Sequence, residues 1–316
     1  MGTTPPEIAV VIATQARESR LAFALESLAG QLDPGRYEVL VVRDAEARGP
    51  FARAPEGLPV RFFELAEVAG PTAKRNLGWR ATEAPLVAFT DDDCRAAPGW
   101  LEALLAAAEG PDVFLQGRTC PDPDERHLLH GLARSIDVPA PTGWFETCNM
   151  AYPRKLLERL GGFDEAYEFG GEDTDLAWRA LEAGAEPRFV EGAVMWHAVI
   201  SRTFPRALVE AARWRDTAAV VARHPGLHEY LHRGYFWNRQ HLTLPIAVAG
   251  LAFARRAPAV AALAAVPYAC DRINWREPHP RRIARALVTM PLFAAVDAIE
   301  IGSRLPSALR HRARVV

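Results

Sequence analysis

The fold is decided by the segment LVAFTDDDCRAAPGW, residues 86–100. Leu86–Phe89 is a short apolar run typical of a buried strand, and it leads into three carboxylates, Asp91, Asp92 and Asp93. Ligands of open α/β sheets bind at the carboxyl ends of the strands, so an acidic turn in this position faces a binding cleft. Carboxylate oxygens suit Mg²⁺ or Mn²⁺, which in turn neutralise a diphosphate. A solvated turn that caps the next helix is the alternative interpretation.

Short apolar, β-rich runs alternate with helical stretches on both sides of this segment. The predicted strands are Ile8–Ala13, Val39–Val42, Arg61–Leu65, Leu86–Phe89, Val113–Gln116, Thr147–Tyr152, Arg188–Val190 and Ala193–Trp196. The predicted helices between them begin near Glu18, Pro71, Pro98, Pro153 and Glu172. Such alternation predicts an α/β fold, a sheet covered by helices on both faces, over residues 1–198.

Residues 199–316 have a different character and form a second, helical region. The predicted helices are Pro205–Arg223, Leu242–Ala254, Ala257–Cys270 and Ala286–Ile301. The last three are apolar, but each is shorter than the roughly 20 residues that a membrane-spanning helix needs. They fit a helical layer of a soluble protein, a re-entrant hairpin or interfacial helices.

The two regions carry opposite charge. Residues 1–198 hold 19 Lys and Arg against 32 Asp and Glu, whereas residues 199–316 hold 18 against 7. A basic and apolar C-terminal region favours an anionic membrane surface over nucleic acid as its partner, because no RNA-binding motif is present. A homo-oligomer contact and a lid over an acceptor site are equally compatible with it.

Four widely spaced cysteines form no CxxC pair and no disulfide pattern, which favours a reducing environment. The N-terminal sequence MGTTPPEIAVVIAT has neither the basic start nor the cleavage site of a secretory signal. We therefore expect a cytoplasmic protein, attached peripherally to the inner face of the plasma membrane if the basic region binds lipid.

A second candidate site lies in FGGEDTDLAWRALEAG, residues 169–184. Glu172 and Asp173 follow a glycine pair at a predicted helix start, where a carboxylate can face a cleft while the glycines allow a substrate close to the backbone. First-turn acids that merely favour the helix dipole are the alternative. His197 follows a predicted strand in the same way, and three such signals at strand-to-helix edges carry more weight together than singly.

The order of these segments resembles the family-2 glycosyltransferases with the GT-A fold. The matching segments run from IAVVIATQAR through YEVLVVRDA, GPTAKRN and LVAFTDDDC to GGFDE, GGEDTDL and VMWH, over residues 8 to about 198. The resemblance implies a Rossmann-like mixed sheet and transfer of a sugar from a nucleoside diphosphate with inversion at the anomeric carbon.

The resemblance also implies residue roles. Asp91 and Asp93 correspond to the DxD pair that binds a divalent cation, and His197 corresponds to a histidine that completes the metal shell in some members. Asp173 corresponds to the general base, and Glu172 to a residue that helps fix the acceptor.

The same resemblance assigns the donor-binding residues, which are Thr14, Arg17, Asp44, Arg75 and Asp91. UDP is the commonest donor nucleotide of the family, but Ala13 and Gln15 depart from its usual IPTYNR pattern, and Val42–Glu46 departs from VDDGS. The donor base therefore stays open. The implied acceptor is a carbohydrate or a lipid-linked molecule of cell-envelope polysaccharide or glycolipid synthesis.

Two other classes of protein are weighed against this interpretation. A sugar nucleotidyltransferase needs a glycine-rich loop around its triphosphate, and residues 8–20 contain no glycine. The second is a non-catalytic, membrane-attached nucleotide-sugar-binding module. Loss of the base or of the DxD pair would favour it, but this sequence keeps the base and the DxD pair.

Overall fold

The computed structural model describes residues 5–15, 17–45, 51–129, 131–167, 170–273 and 279–315. The chain divides into two compact units. Unit 1 is Met1–Leu129 with Arg134–Ile200, and unit 2 is His130–Ala133 with Ser201–Val316. The division falls two residues after the boundary predicted at residue 198, and the sequence did not indicate that His130–Ala133 joins the second unit. Glu46, which belongs to the segment that departs from the VDDGS pattern, lies outside the described residues.

Unit 1 is built on one eight-stranded mixed sheet, which confirms the predicted fold class. Its strands are β1 Ile8–Ala13, β2 Tyr37–Asp44, β3 Val60–Leu65, β4 Leu86–Asp91, β5 Cys94–Ala96, β6 Val113–Pro121, β7 Met150–Pro153 and β8 Glu186–His197. Their order in the sheet is β3-β2-β1-β4-β7-β6-β8-β5. Strands β1 to β4 pair in parallel, and β7 runs antiparallel to β4.

Helices cover both faces of this sheet. They are α1 Glu18–Leu28, α2 Pro71–Arg80, α3 Trp100–Ala107, α4 Arg154–Leu160 and α5 Glu172–Glu182. Strand β1 shows why two layers form, because Ile8, Val10 and Ile12 pack in the core with α1 and α3, whereas Ala9 and Val11 pack in the core with α2, α4 and α5. A strand buried on both faces reads as a continuous apolar run, as IAVVIA does.

The parallel register brings the candidate segments to one edge of the sheet. Ala13 at the end of β1 pairs with Asp91 at the end of β4 and with Val42 near the end of β2. Beyond Asp91 the chain turns into β5, which pairs antiparallel with the end of β8, so that Cys94 lies opposite His197. His197 thereby reaches the acidic turn although a hundred residues separate them in the sequence.

The predicted strands Arg188–Val190 and Ala193–Trp196 are in fact one strand, β8. Its pairing with β6 is irregular between Gly117 and Arg118, and the chain passes this irregularity without leaving the sheet. The sequence pattern breaks there because the alternation of buried and exposed residues changes phase at a bulge.

Unit 2 is helical. Its helices are α6 Phe204–Ala211, α7 Thr217–Arg223, α8 Arg239–Leu251, α9 Pro258–Arg272 and α10 Pro280–His311, with 3₁₀ turns at Ala212–Asp216 and Pro225–Glu229. The single helix predicted over Pro205–Arg223 is wrong in its middle, where the first of these 3₁₀ turns separates α6 from α7.

Helix α10 is longer than the predicted Ala286–Ile301, because it continues through Pro306 and through arginines that end the apolar run. Among the described helices it alone is long and apolar enough to cross a membrane, over Ile283–His311, and 11% of its most apolar window is buried. Length and composition of one helix are weak evidence for a membrane span, since core helices of soluble proteins can meet the same criterion.

Candidate active site

The acidic turn after β4 is held by the residues that follow β1. Asp92 is fully buried, and its Oδ2 accepts a hydrogen bond from Thr14 Oγ1 at 2.6 Å. Arg17 bridges two carboxylates, with Nη2 2.7 Å from Asp92 Oδ1 and Nη1 2.6 Å from Asp93 Oδ2. Burial raises the pKa of Asp92 to about 6, against the opposing effects of Arg17 and Thr14. Thr14 and Arg17 thus contact this turn, and Asp92 is the residue that links them to it.

Asp93 and His197 form the part of the site that can hold a cation. His197 Nε2 lies 3.7 Å from Asp93 Oδ1, and both side chains are buried. His197 Nδ1 lies 2.8 Å from the carbonyl oxygen of Ala198, which only accepts, so in the neutral ring Nδ1 carries the proton and Nε2 offers a lone pair. Two ligands bound at about 2.1 Å to one ion lie up to ~4 Å apart, so the pair fits an ion between them.

The third member of this potential metal cluster is Cys94, whose sulfur lies with the Asp93 and His197 ligand atoms within a 4.8 Å group. The predicted ligand Asp91 is not in that group. Its Oδ1 instead accepts a hydrogen bond from Arg75 Nη2 at 3.0 Å. The structure therefore brings two of the three predicted metal ligands together, and Asp91 lies beside them on the same turn.

Arg75 of helix α2 connects the acidic turn to the second candidate segment. Its Nη1 donates to Glu172 Oε1 at 2.8 Å, while its Nη2 donates to Asp91. Burial acts to lower the pKa of Arg75, but the carboxylates of Asp91 and Glu172 outweigh it and raise that pKa above its usual range. The predicted donor-binding Arg75 and acceptor-fixing Glu172 are therefore partners in one buried ion network.

Asp173 lies beside this network on the first turn of α5. Gly170 and Gly171 precede it with φ angles of 94° and 101°, in a left-handed backbone that favours glycine. Its Oδ1 accepts the backbone N–H of Thr174 at 2.8 Å. Burial raises the pKa of Asp173 to about 8, and the neighbouring Glu172 carboxylate adds to the rise. A carboxylate tuned in this way is suited to take a proton near neutral pH.

The predicted nucleoside-pocket residue Asp44 ends β2 in a buried ion pair. Its Oδ2 lies 2.6 Å from Lys74 Nζ, and its Oδ1 accepts the backbone N–H of Ala69 at 3.0 Å. Lys74 is completely buried. Asp44 is the last residue of a strand that is parallel to β1, so it lies at the same sheet edge as the acidic turn, but its contacts are to α2 and the segment before it.

Sequence reasoning missed Lys74 and Glu146 as parts of the site, and it assigned no role to Asp92 within the predicted acidic turn. Lys74 had one signal, since it is one of only two lysines in a chain rich in arginine. The loop that carries Glu146 contacts α5, where Thr174 Oγ1 donates to the Trp144 carbonyl oxygen at 2.7 Å. Burial raises the pKa of Glu146, and its carboxylate contributes to the raised pKa of Asp173. Nothing in the local sequence around Glu146 indicates this proximity.

A mixed sheet with carboxylates on a turn and on a helix start at the carboxyl edge of its strands is a GT-A arrangement. The fold is shared with a mannosyltransferase, PcManGT from Pyrobaculum calidifontis, solved in complex with GDP-Man and Mn²⁺. The two superpose with a TM-score of 0.63 at 21% identity, over 95% of this chain and 88% of that chain. S. aureus TarS 1–349 in complex with UDP-GlcNAc gives a TM-score of 0.51 at 14% identity, over 97% and 92%.

Residues 9–164 match the model of glycosyl transferase family 2. This match covers just under half of the chain and identifies a family-2 glycosyltransferase domain in it, which confirms the resemblance drawn from the sequence motifs.

Curated relatives agree with this family. The pre-mycofactocin glycosyltransferase of Mycobacterium tuberculosis is 29% identical over 241 residues, which are 71% of this chain and 49% of the relative. The validoxylamine A glucosyltransferase of Streptomyces hygroscopicus subsp. limoneus is 30% identical over 215 residues, 55% of this chain and 48% of the relative. The chain thus spans about half the length of these relatives.

Proposed function

We propose that the protein transfers a sugar from a nucleoside diphosphate sugar to an acceptor hydroxyl, with inversion at the anomeric carbon. The observation that carries this proposal is Asp173, a partly buried carboxylate with a pKa of about 8, placed next to Glu172, which Arg75 binds together with Asp91 of the acidic turn. Arg75 thereby connects the acidic turn to Glu172, the residue that precedes the proposed proton acceptor Asp173.

Asp173 acts as the single base of this reaction. The acceptor hydroxyl gives its proton to Asp173 while its oxygen forms a bond to the anomeric carbon. The bond from that carbon to the phosphate oxygen breaks, and the diphosphate leaves with the electron pair. One displacement of this kind inverts the anomeric centre and needs no enzyme nucleophile. Glu172, held by Arg75, sets the position of Asp173 and contributes to holding the acceptor.

A divalent cation, Mg²⁺ or Mn²⁺, belongs to this proposal because His197 Nε2 and Asp93 Oδ1 face each other as two lone-pair donors. Asp93 and His197 would hold it, with Asp91 next to them on the turn. Such an ion would stabilise the charge that develops on the leaving diphosphate. The residues present therefore fit the ion that the fold neighbour PcManGT binds.

The donor is placed by Thr14, Arg17, Asp44 and Arg75 in this proposal. Arg17 is the cation of the set with a half-exposed side chain, so it can turn from the acidic turn to a phosphate. Fold neighbours bind GDP-Man in one case and UDP-GlcNAc in another, and we propose a nucleoside diphosphate sugar without choosing the base. The acceptor is a carbohydrate or lipid-linked hydroxyl of the cell envelope.

The base is tested by comparing Asp173→Asn with Glu182→Gln. Glu182 is exposed at the other end of α5, so its substitution makes the same change of carboxyl to amide on the same helix, away from the site. We expect Asp173→Asn to bind donor and Mn²⁺ as the wild type does in calorimetric titration, but to lose about 10²–10⁴-fold in single-turnover transfer. Glu182→Gln should retain both ligand binding and sugar transfer. Normal turnover by Asp173→Asn would remove it as the base.

A further inference from the structure

Helices α8 and α9 form a hairpin whose outer face is apolar. We call Arg239–Arg272 the hairpin; it consists of α8, the turn at residues 252–257 and α9. Its outward side chains are exposed to an extent unusual for apolar residues, with Leu263 at 72% and Leu251 at 64%. The exposed large apolar side chains of the hairpin are Ile246, Val248, Leu251, Phe253, Val260, Leu263 and Val266.

This exposure is a property of unit 2 and not of the whole chain. Among the described residues, unit 1 exposes only three large apolar side chains, Phe23, Val68 and Leu129. Seven lie on the 34-residue hairpin alone. Scattered apolar side chains need no explanation, but a contiguous set of this density marks a contact surface.

The inner face of the hairpin is buried by contacts within unit 2. A Cβ on Gly250 would lie 2.5 Å from Ala264 Cβ and 3.5 Å from Ala261 Cα, so the two helices pack closely at this point. His241 and Tyr268 are buried and contact Glu300 and Asp297 of α10. The inner face of the hairpin therefore packs on α10, and the seven exposed apolar side chains lie on its solvent-facing side.

Charge identifies the partner. Residues 240–270 contain no Asp or Glu, and their only Lys or Arg residues are Arg255 and Arg256 in the turn, both exposed. We propose that the outer face of the hairpin docks on an anionic lipid bilayer, with its apolar side chains in the acyl boundary and the two arginines on lipid phosphates. An apolar face flanked by arginine is the pattern of interfacial membrane helices.

The hairpin lies in the interface and does not cross the bilayer. Its helices have 13 and 15 residues. At 1.5 Å per residue they are about 20 Å and 22 Å long, less than the ~30 Å hydrocarbon core. Insertion turn-first would also place Arg255 and Arg256 deepest, at a cost that a position among headgroups avoids.

A second copy of the chain is a poorer partner for this face. A symmetric dimer would bring the same face of two hairpins together, with no acidic side chain between residues 240 and 270 to pair with the arginines. Anionic headgroups supply that negative charge. The lipid surface therefore satisfies both the apolar and the charged residues of the hairpin.

The test is co-sedimentation of the purified full chain with vesicles of phosphatidylglycerol and phosphatidylcholine, or of phosphatidylcholine alone. We expect binding to the mixed vesicles that weakens at high salt. Arg255→Glu with Arg256→Glu should lower the partition coefficient by at least ~20-fold, at about 1 kcal/mol per basic residue near the surface. Leu263→Asp should lower it by a similar factor, because it places a charge in the acyl boundary.

Matched controls lie on α10. Leu309 is 79% exposed, and Arg310 and Arg314 are exposed as well. Leu309→Asp and the double variant Arg310→Glu, Arg314→Glu make the same chemical changes outside the hairpin and should bind vesicles as the wild type does. Equal loss in both sets, or no loss in the hairpin variants, overturns the proposal. A dimer that light scattering finds dissociated by Leu263→Asp, with vesicle binding intact, overturns it in favour of a second copy.

Discussion

At the scale of single residues, two adjacent carboxylates differ because their neighbours differ. Glu172 is paired with the Arg75 guanidinium, whereas Asp173 receives, from the described residues, a backbone N–H and a hydroxyl of Thr174. The pKa of Asp173 therefore rises to about 8. At this helix start Glu172 therefore keeps a fixed charge and Asp173 titrates, as expected of a positioning residue beside a base.

This raised pKa predicts how stability depends on pH. Between about pH 4 and pH 8 the folded protein keeps a proton on Asp173 that the unfolded chain releases, so the free energy of unfolding falls as pH rises through this window. Asp173→Asn removes this pH-dependent loss of stability. The variant should be more stable than the wild type at pH 9, by a margin that shrinks on acidification and levels off below pH 4. Urea unfolding of both proteins across this range measures it, and a margin independent of pH would contradict the raised pKa.

The Asp93 and His197 pair predicts Mn²⁺ binding that can be measured without turnover. His197→Ala and Asp93→Asn each remove one ligand, and each should weaken the binding of Mn²⁺ by about tenfold or more, as seen in the loss of the free-ion signal in electron paramagnetic resonance. His127 is an exposed histidine of unit 1, and His127→Ala is the matched control. Unchanged Mn²⁺ affinity in His197→Ala would exclude this histidine from the metal shell.

At the scale of elements, α2 holds the loop that leads from α4 toward α5. Asn76 Nδ2 donates to the Phe163 carbonyl oxygen at 2.9 Å, and Asn76 Oδ1 accepts the backbone N–H of Phe163 at 2.9 Å. The same helix carries Arg75, so a single element fixes both the loop and the ion network. The close approach depends on Gly162, where an added Cβ would lie 2.5 Å from Asn76 Oδ1.

Gly162→Ala should therefore be severely destabilising. Gly162 has a φ of +79°, and a methyl group would also meet Trp79 Nε1 at 2.6 Å. Gly184 is the matched control, because its φ is +85° but nothing lies within 4 Å of its Cβ position. We expect Gly184→Ala to cost about 1–2 kcal/mol for the left-handed backbone. Gly162→Ala should cost a further ~1–3 kcal/mol for overpacking. Denaturant unfolding compares the two variants. Equal losses in the free energy of unfolding would mean that the loop moves enough to accommodate the methyl group at Gly162.

Strands and helices could be predicted from the sequence wherever a local pattern of apolar residues determines them. The buried parallel strands β1, β2 and β4 are continuous apolar runs, and their carboxyl ends located the acidic turn without a structure. Strand β5 was missed, since three residues carry no periodicity and only pairing with β8 defines them. Helix α10 was drawn too short, because an internal proline and charged residues break the apolar pattern but not the helix.

At the scale of the whole molecule, the chain combines an acidic sheet unit with a basic helical one. The candidate site residues all belong to unit 1 and the proposed lipid surface belongs to unit 2. Asp93, His197 and Asp173 could be named as candidates because they match a motif, and the structure places Asp93 beside His197. The roles of Lys74 and Glu146 and the contact of Asp92 with Thr14 could not be predicted, since they arise between segments distant in the sequence.

Donor binding should stabilise the entire sheet unit, and this predicts which nucleotide the protein uses. A ligand at a hundredfold excess over its Kd adds about 2.7 kcal/mol to the free energy of unfolding. At ~2–4 °C per kcal/mol, Tm should then rise by about 5–10 °C. Calorimetric scans with UDP-, GDP- and dTDP-sugars should show this rise for one nucleoside, with a smaller rise when EDTA replaces Mn²⁺. Asp93→Asn should lose the Mn²⁺-dependent part, whereas Asp173→Asn should keep it. If no nucleotide sugar shifts the transition of the wild type, the donor proposal fails, whatever the vesicle experiments show.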